Sequence, residues 1–165
     1  GISHYIDMFA GDMHPGTSHG EQVGIATISM SKFQNAILKK DQPPIIGPTT
    51  IPEEEISKKL GEPMLETIKE SMKPKIFDQK KADTTNEYFS KHWSEFIEPL
   101  REKMLDYDLI WNSMGECGAL RTPEDAKLDS NFYKDALKYG RFIRDRYTIL
   151  DLAGDSNQLD NLINV

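Results

Sequence analysis

The sequence contains very little cysteine. Cys117 is the only one in 165 residues, which excludes an internal disulfide and any CxxC metal site. A chain without disulfides fits a reducing compartment, so we expect a cytoplasmic protein. The sequence also has no run of about 18 consecutive apolar residues, the length that a membrane span needs. We therefore expect a soluble protein that does not bind within a membrane.

Net positive charge is also absent. The 27 acidic and 20 basic residues give a formal net charge of −7, and the acids are spread along the chain. Nucleic acids and anionic membranes both require a basic surface, so neither is expected as a partner. A local positive pocket for a small phosphorylated substrate remains compatible with this charge. With 38% hydrophobic and 28% charged residues, the composition predicts one globular domain over residues 1–165.

No stretch alternates apolar and polar residues over the length of a strand, whereas helical spacing recurs along the chain. The sequence predicts an all-α bundle of about six or seven helices. Residues 20–39 are apolar on most sides and predict a central buried helix, followed by a proline-rich loop at 41–52. Thr122-Pro123-Glu124-Asp125 predicts a helix start, and residues 131–153 predict a long final helix. Further helices are predicted at 52–60, at 64–72 and from Thr84 or Thr85 onward.

Chemistry-bearing residues concentrate near the beginning of the sequence. Three of the four histidines, with Asp7, Asp12 and Glu21, lie in the first 24 residues: His4, His14 and His19. Histidine is the commonest metal ligand and proton-transfer group near neutral pH. His4 has Asp7 three residues on, where a carboxylate can orient its ring, and His19 stands at the entry to the predicted central helix. The residues alone predict a metal or acid–base site here.

A single histidine is more often a surface or core residue than a ligand, and the spacing matches no HExxH-type motif. We interpret His14 as a loop residue and His92 as a surface residue. Asp7 and Glu21 are also compatible with ordinary solvated acids.

Two short segments near the beginning of the sequence resemble motifs of a known protein family. Ser3-His4-Tyr5-Ile6-Asp7 and His19-Gly20-Glu21-Gln22-Val23-Gly24 resemble the metal-binding region of the glycerol-1-phosphate dehydrogenases. That family belongs to the superfamily of metal-dependent glycerol dehydrogenases and dehydroquinate synthases. The segments 119–124 and 141–152 are similar to the closing segments of its bacterial members. The resemblance implies the helical C-terminal domain of such an enzyme.

The resemblance implies NAD(P)H-dependent reduction of dihydroxyacetone phosphate to sn-glycerol 1-phosphate, assisted by a divalent metal such as zinc, nickel or iron. His19 matches a metal ligand, and His4 matches a catalytic histidine that contacts the substrate. A second histidine ligand falls immediately before Gly1, and an aspartate ligand comes from the nucleotide-binding half. No strand-GxGxxG-helix unit occurs in this sequence, so NAD(P) is expected to bind mainly to that N-terminal domain. We expect this chain alone to be inactive and to bind metal weakly.

The resemblance also implies partners: a small phosphorylated substrate, the N-terminal domain of the same protein, and a second copy in a homo-oligomer. Three other interpretations stay open. The chain could belong to a glycerol or other polyol dehydrogenase of the same superfamily. It could be a non-catalytic helical interaction module, which its long apolar helix and acidic surface permit. A helical metal-dependent phosphohydrolase would require an adjacent His-Asp pair, which the sequence lacks.

Overall fold

The computed structural model describes residues 1–164, and within that range the chain forms nine α-helices and no strand. The predicted all-α fold is therefore confirmed. Short 3₁₀ turns follow α1 and α4. No helix in the described part of the chain is both long and apolar enough to cross a bilayer. The helices are α1 (Ile2–Phe9), α2 (His19–Leu38), α3 (Glu53–Leu60), α4 (Glu62–Met72), α5 (Gln79–Arg101), α6 (Tyr107–Glu116), α7 (Ser130–Tyr139), α8 (Ile149–Asp155) and α9 (Leu159–Ile163).

Helix α2 is the centre of the fold, as predicted, and it contacts α1, α6 and α8. Its first residue lies one position before the predicted start. Ile25, Phe33 and Ile37 of α2 are fully buried in a core to which seven of the helices contribute. Burial of such side chains stabilises the folded state by roughly 1.5–3 kcal/mol each. The α2 helix therefore fixes the position of the segments on either side of it.

Side-chain caps set several helix starts. Helix α5 begins before the predicted Thr84 or Thr85 because the Asp78 carboxylate accepts a hydrogen bond from the Lys81 amide at 2.7 Å. The predicted helix at Thr122 is wrong: the chain makes only a turn there and reaches a positive φ of 56° at Lys127. Helix α7 starts after this turn, capped by Asp129.

The predicted helix over residues 131–153 is also wrong, because the chain leaves the helical path over residues 140–148. The buried ammonium group of Lys75 donates hydrogen bonds to the carbonyls of Arg141 and Arg146, the latter at 3.3 Å. In a continuous helix those carbonyls would accept from amides four residues further on. The Lys75 side chain, in the 3₁₀ turn after α4, therefore takes the place of backbone amides as donor to these carbonyls. Residues 140–148 are kept out of the helix in this way.

The same lysine belongs to a buried ion network of four charged side chains: Lys75, Arg141, Asp151 and Asp155. Lys75 Nζ lies 2.7 Å from Asp151 Oδ1, and Arg141 Nε lies 3.4 Å from the same oxygen. Arg141 also pairs with Asp155. All four side chains are at most 5% exposed. The network joins the segment 140–148 to α8 and to the end of α4.

Gly154 gives a prediction about this network. Replacing glycine by alanine inside a helix ordinarily stabilises a protein by about 0.5–1 kcal/mol. At Gly154 a Cβ would lie 2.5 Å from Cζ of the buried Arg141, so we expect Gly154→Ala to destabilise the protein by about 2–4 kcal/mol. The matched control is Gly20→Ala in α2, where the nearest atom lies 3.9 Å away. Urea unfolding of both variants checks this, and equal stabilisation of both would contradict it.

Candidate functional site

The site predicted around His19 lies at the beginning of α2. Ser18 caps this helix: its hydroxyl accepts from the Glu21 amide at 3.3 Å, and the Glu21 carboxylate accepts from the Ser18 amide at 2.7 Å. This reciprocal pair is a capping box. The Ser18 amide, together with the Ser18 hydroxyl that also donates to the Glu21 carboxylate at 2.9 Å, lowers the pKa of Glu21. The Glu21 side chain therefore fixes the helix start and places His19 at its first residue.

The His19 ring is held at one nitrogen only. Nδ1 lies 3.0 Å from Ser3 Oγ and 3.7 Å from Asp7 Oδ2. The Ser3 hydroxyl donates its one proton to Gln22 Oε1 at 2.9 Å, so toward His19 it acts as the acceptor, which favours the ring tautomer that carries its proton on Nδ1. In this neutral tautomer Nε2 presents a lone pair, and it has no hydrogen-bond partner among residues 1–164. The side chain is 73% exposed.

His14 joins the same group of side chains, which we name the histidine cluster: Ser3, Asp7, His14, His19 and Gln22. His14 Nε2 lies 3.5 Å from Asp7 Oδ1 and 3.0 Å from Gln22 Nε2. Its Nδ1 accepts a hydrogen bond from the Gly16 amide at 3.1 Å. The predicted loop position of His14 is confirmed, and the loop brings its ring back to α1.

Asp7 is the centre of the cluster's charge. A hydrogen bond from Gln22 has the largest effect on this carboxyl and lowers its pKa, and His14 and His19 lower the pKa further. The carboxylate is therefore negative at neutral pH, next to both imidazole rings. A carboxylate in this position favours the proton on the nearer ring nitrogen and helps to fix the orientation of the ring.

His4, the other predicted site residue, lies on the exposed side of α1. Within the described residues it has no hydrogen bond or ion pair, and Asp7 pairs with His14 and His19 instead of His4. His4 is thus next to the cluster in sequence but is not joined to it. The His92 side chain is 42% exposed, lies 3.3 Å from Glu95 and is stacked on Tyr88, which agrees with its interpretation as a surface residue.

Sequence reasoning missed Ser3 and Gln22 as parts of the site. Both are polar side chains in otherwise apolar helix faces, and both are buried: Ser3 is 7% and Gln22 1% exposed. What identifies Ser3 and Gln22 as site residues is that both are buried next to a histidine. That burial cannot be read from the sequence. The Ser-x-x-Glu spacing at Ser18 and Glu21 could have been read directly as a capping box.

The histidine cluster contains one side chain that fits the role of a metal ligand, but not a complete set of ligands. Among residues 1–164, no three His, Cys, Asp or Glu side chains are arranged to hold a metal ion together. His19 fits the role of one ligand, because its Nε2 is accessible and its Nδ1 is anchored. Imidazole nitrogen is a suitable ligand for zinc, nickel and iron. A complete site would need ligands beyond those that this group of side chains supplies.

A cavity of about 620 Å³ lies beside the histidine cluster. Ser3 belongs to both, since it lines the cavity and also contacts His19. The other walls come from α2, from the segment 140–150, and from Gly1, Ile2 and Ile110. Comparison of the chain with family models, curated proteins and solved structures gives no match. The cluster and the adjoining cavity are therefore the observations on which a function can be proposed.

The role of Ser3 leads to a second prediction. In Ser3→Ala, Gln22 keeps its buried position but Oε1 loses its donor, so we expect the free energy of unfolding to fall by about 1–3 kcal/mol. Thermal or urea unfolding measures this. The control is Ser90→Ala, an exposed serine that bonds only to its own helix at Glu87, where we expect a change within about 0.5 kcal/mol. Equal stabilities of Ser3→Ala and wild type would contradict the role that we give to Ser3.

Proposed function

We propose that this chain is the helical metal- and substrate-binding part of a metal-dependent dehydrogenase of the glycerol dehydrogenase and dehydroquinate synthase superfamily. Within that class we propose an sn-glycerol-1-phosphate dehydrogenase, which reduces dihydroxyacetone phosphate with NAD(P)H. The observation that carries the proposal is the state of His19. One nitrogen is anchored by a buried serine near a carboxylate, and the other is accessible with a lone pair. Metal-binding histidines commonly have this arrangement.

In the proposed reaction, a bound divalent metal would supply Lewis-acid stabilisation of negative charge on the ketone oxygen of the substrate. His19 would bind the metal through Nε2. Ser3 and Asp7 would keep the ring in the required tautomer and orientation. His4, exposed on the neighbouring turn of α1, would hydrogen-bond a substrate hydroxyl or transfer a proton to the developing alkoxide. NAD(P) would bind mainly to a nucleotide-binding domain of the same protein.

The proposal is tested on the intact gene product that contains this chain. Oxidation of NADH and NADPH is followed with dihydroxyacetone phosphate and, separately, with dihydroxyacetone. We expect kcat/KM to be at least roughly 100-fold higher with the phosphate ester, because a site that binds the phosphate discriminates strongly against its absence. The opposite preference would indicate a polyol dehydrogenase. Absence of turnover with either ketone would overturn the proposal and favour a helical interaction module.

A further inference from the structure

The cavity beside the histidine cluster differs from the rest of this acidic protein in its charge. The chain carries 27 aspartates and glutamates, yet none lines the cavity within the described residues. Three of the five arginines line it: Arg141, Arg144 and Arg146. The remaining polar lining consists of uncharged hydroxyl and amide side chains, including Thr27, Gln34 and Thr148. The lining is therefore cationic in a protein of net charge −7.

Two of these arginines have no partner within residues 1–164. Arg141 is buried and neutralised by Asp151 and Asp155. Arg144 and Arg146 are exposed, and their guanidinium groups form no ion pair or hydrogen bond with any described side chain. The other two arginines, Arg101 and Arg121, donate to backbone carbonyls at 2.8 and 3.5 Å. Arg144 and Arg146 are thus the arginines whose donors are available to a ligand.

A buried side chain holds the backbone on both sides of Arg144. The carbonyl of Arg146 accepts a hydrogen bond from the buried Lys75, and the carbonyl of Arg141 accepts another. Lys75 is in turn paired with Asp151. A backbone held in this way reduces the entropy lost when a ligand binds. The parallel N–H donors of a guanidinium group match the oxygens of a phosphate. The break between α7 and α8 thus places both arginines in the lining of the cavity.

We propose that this cavity binds a phosphate monoester of a short polyol or hydroxyketone, and that Arg144 and Arg146 bind its phosphate group. The class of ester rests on the proposed function. A volume of about 620 Å³ accommodates a ligand of this size. The apolar wall, formed in part by Val23, Ala26 and Met30, faces the short carbon chain. Because Ser3 belongs to both the cavity and the cluster, the bound ester lies next to His19.

The test is direct binding to the intact gene product by isothermal titration calorimetry, without nicotinamide cofactor. The probes are sn-glycerol 1-phosphate, inorganic phosphate and glycerol. We expect the ester to bind, phosphate to compete with it, and glycerol not to bind at the same concentrations. Arg144→Ala and Arg146→Ala should each weaken ester binding at least roughly tenfold, since each removes a charge-assisted contact. Lys103→Ala removes an exposed positive charge outside the cavity and should leave the Kd within roughly twofold.

Undiminished ester binding in both arginine variants, or no ester binding by wild type, would overturn the proposal. Both arginines are exposed, and their side chains form no hydrogen bond or ion pair within residues 1–164. The variants are therefore expected to unfold at the wild-type temperature, which circular dichroism verifies. The binding assay needs no turnover and therefore separates the two proposals. Arginine-dependent ester binding without ketone reduction would overturn the dehydrogenase and leave the phosphate site. If the intact protein reduces the ketone but both arginine variants bind the ester as tightly as wild type, the phosphate site is overturned and the dehydrogenase proposal stands.

Discussion

Replacing Asp151 by alanine is expected to lower the free energy of unfolding by about 3–5 kcal/mol. Asp151 is fully buried and accepts hydrogen bonds from Lys75 at 2.7 Å and from the amide and hydroxyl of Thr148, both at 2.8 Å. Its removal leaves the Lys75 ammonium buried without its carboxylate and removes the capping box of α8. Isolated charge in a protein interior is costly because water no longer solvates it.

The measurement is urea unfolding monitored by tryptophan fluorescence and circular dichroism. Its control is Glu87→Ala, which breaks the exposed pair with Lys91 at 2.6 Å. Exposed pairs contribute about 0–1 kcal/mol, so that variant should remain close to wild type. If Asp151→Ala and Glu87→Ala lower the free energy of unfolding by the same small amount, the buried network does not stabilise the connection between α7 and α8.

Asp151→Asn keeps the size of the side chain and removes its charge. We expect it to be intermediate in stability, because the amide oxygen can still accept from Lys75 while the two cations lose half of their countercharge. Since Lys75 also holds the carbonyl of Arg146, this variant should bind the phosphate ester more weakly than wild type as well. The stability of the network and the position of Arg146 at the cavity are thus linked.

Replacing His19 by alanine in the intact gene product is expected to reduce kcat/KM for dihydroxyacetone phosphate by about 10³-fold or more. Loss of a metal ligand removes several kcal/mol of transition-state stabilisation, and each 1.36 kcal/mol corresponds to a factor of ten in rate. Folding should be nearly unaffected, since the His19 side chain is 73% exposed and the Ser18–Glu21 capping box does not use it.

The matched control for this substitution is His92→Ala on the surface of α5, whose ring stacks on Tyr88 and lies 3.3 Å from Glu95 in the same helix. Its turnover should lie within roughly twofold of wild type, as for most surface substitutions. Unchanged turnover in both histidine variants would favour the interpretation of the chain as an interaction module.

Much of the fold could be predicted from local sequence. The apolar periodicity over residues 20–39 identifies the central helix to within one residue at each end, because that signal depends only on neighbours along the chain. The final helix could not be predicted correctly. Its interruption depends on Lys75, 66 residues before Arg141 and 71 before Arg146, and a local pattern contains no information about such a bond.

The same distinction applies to the candidate site. His19 stands out because histidines are few and because the segment around it resembles a known motif. Ser3 and Gln22 matter because folding buries them against His19 and each other, and serine and glutamine at those positions have no distinctive spacing. Arg144 and Arg146 likewise look like ordinary surface charges until the break after α7 places them at a cavity that no Asp or Glu of residues 1–164 lines.

The most direct test of the central claim, that His19 binds a metal through Nε2, is the metal content of the intact gene product. Inductively coupled plasma mass spectrometry of the purified wild type should find close to one divalent metal ion per chain. The His19→Ala variant, purified in the same way and still folded, should contain almost none. Equal metal content in the two proteins, or none in the wild type after growth with zinc, nickel and iron, would contradict the claim.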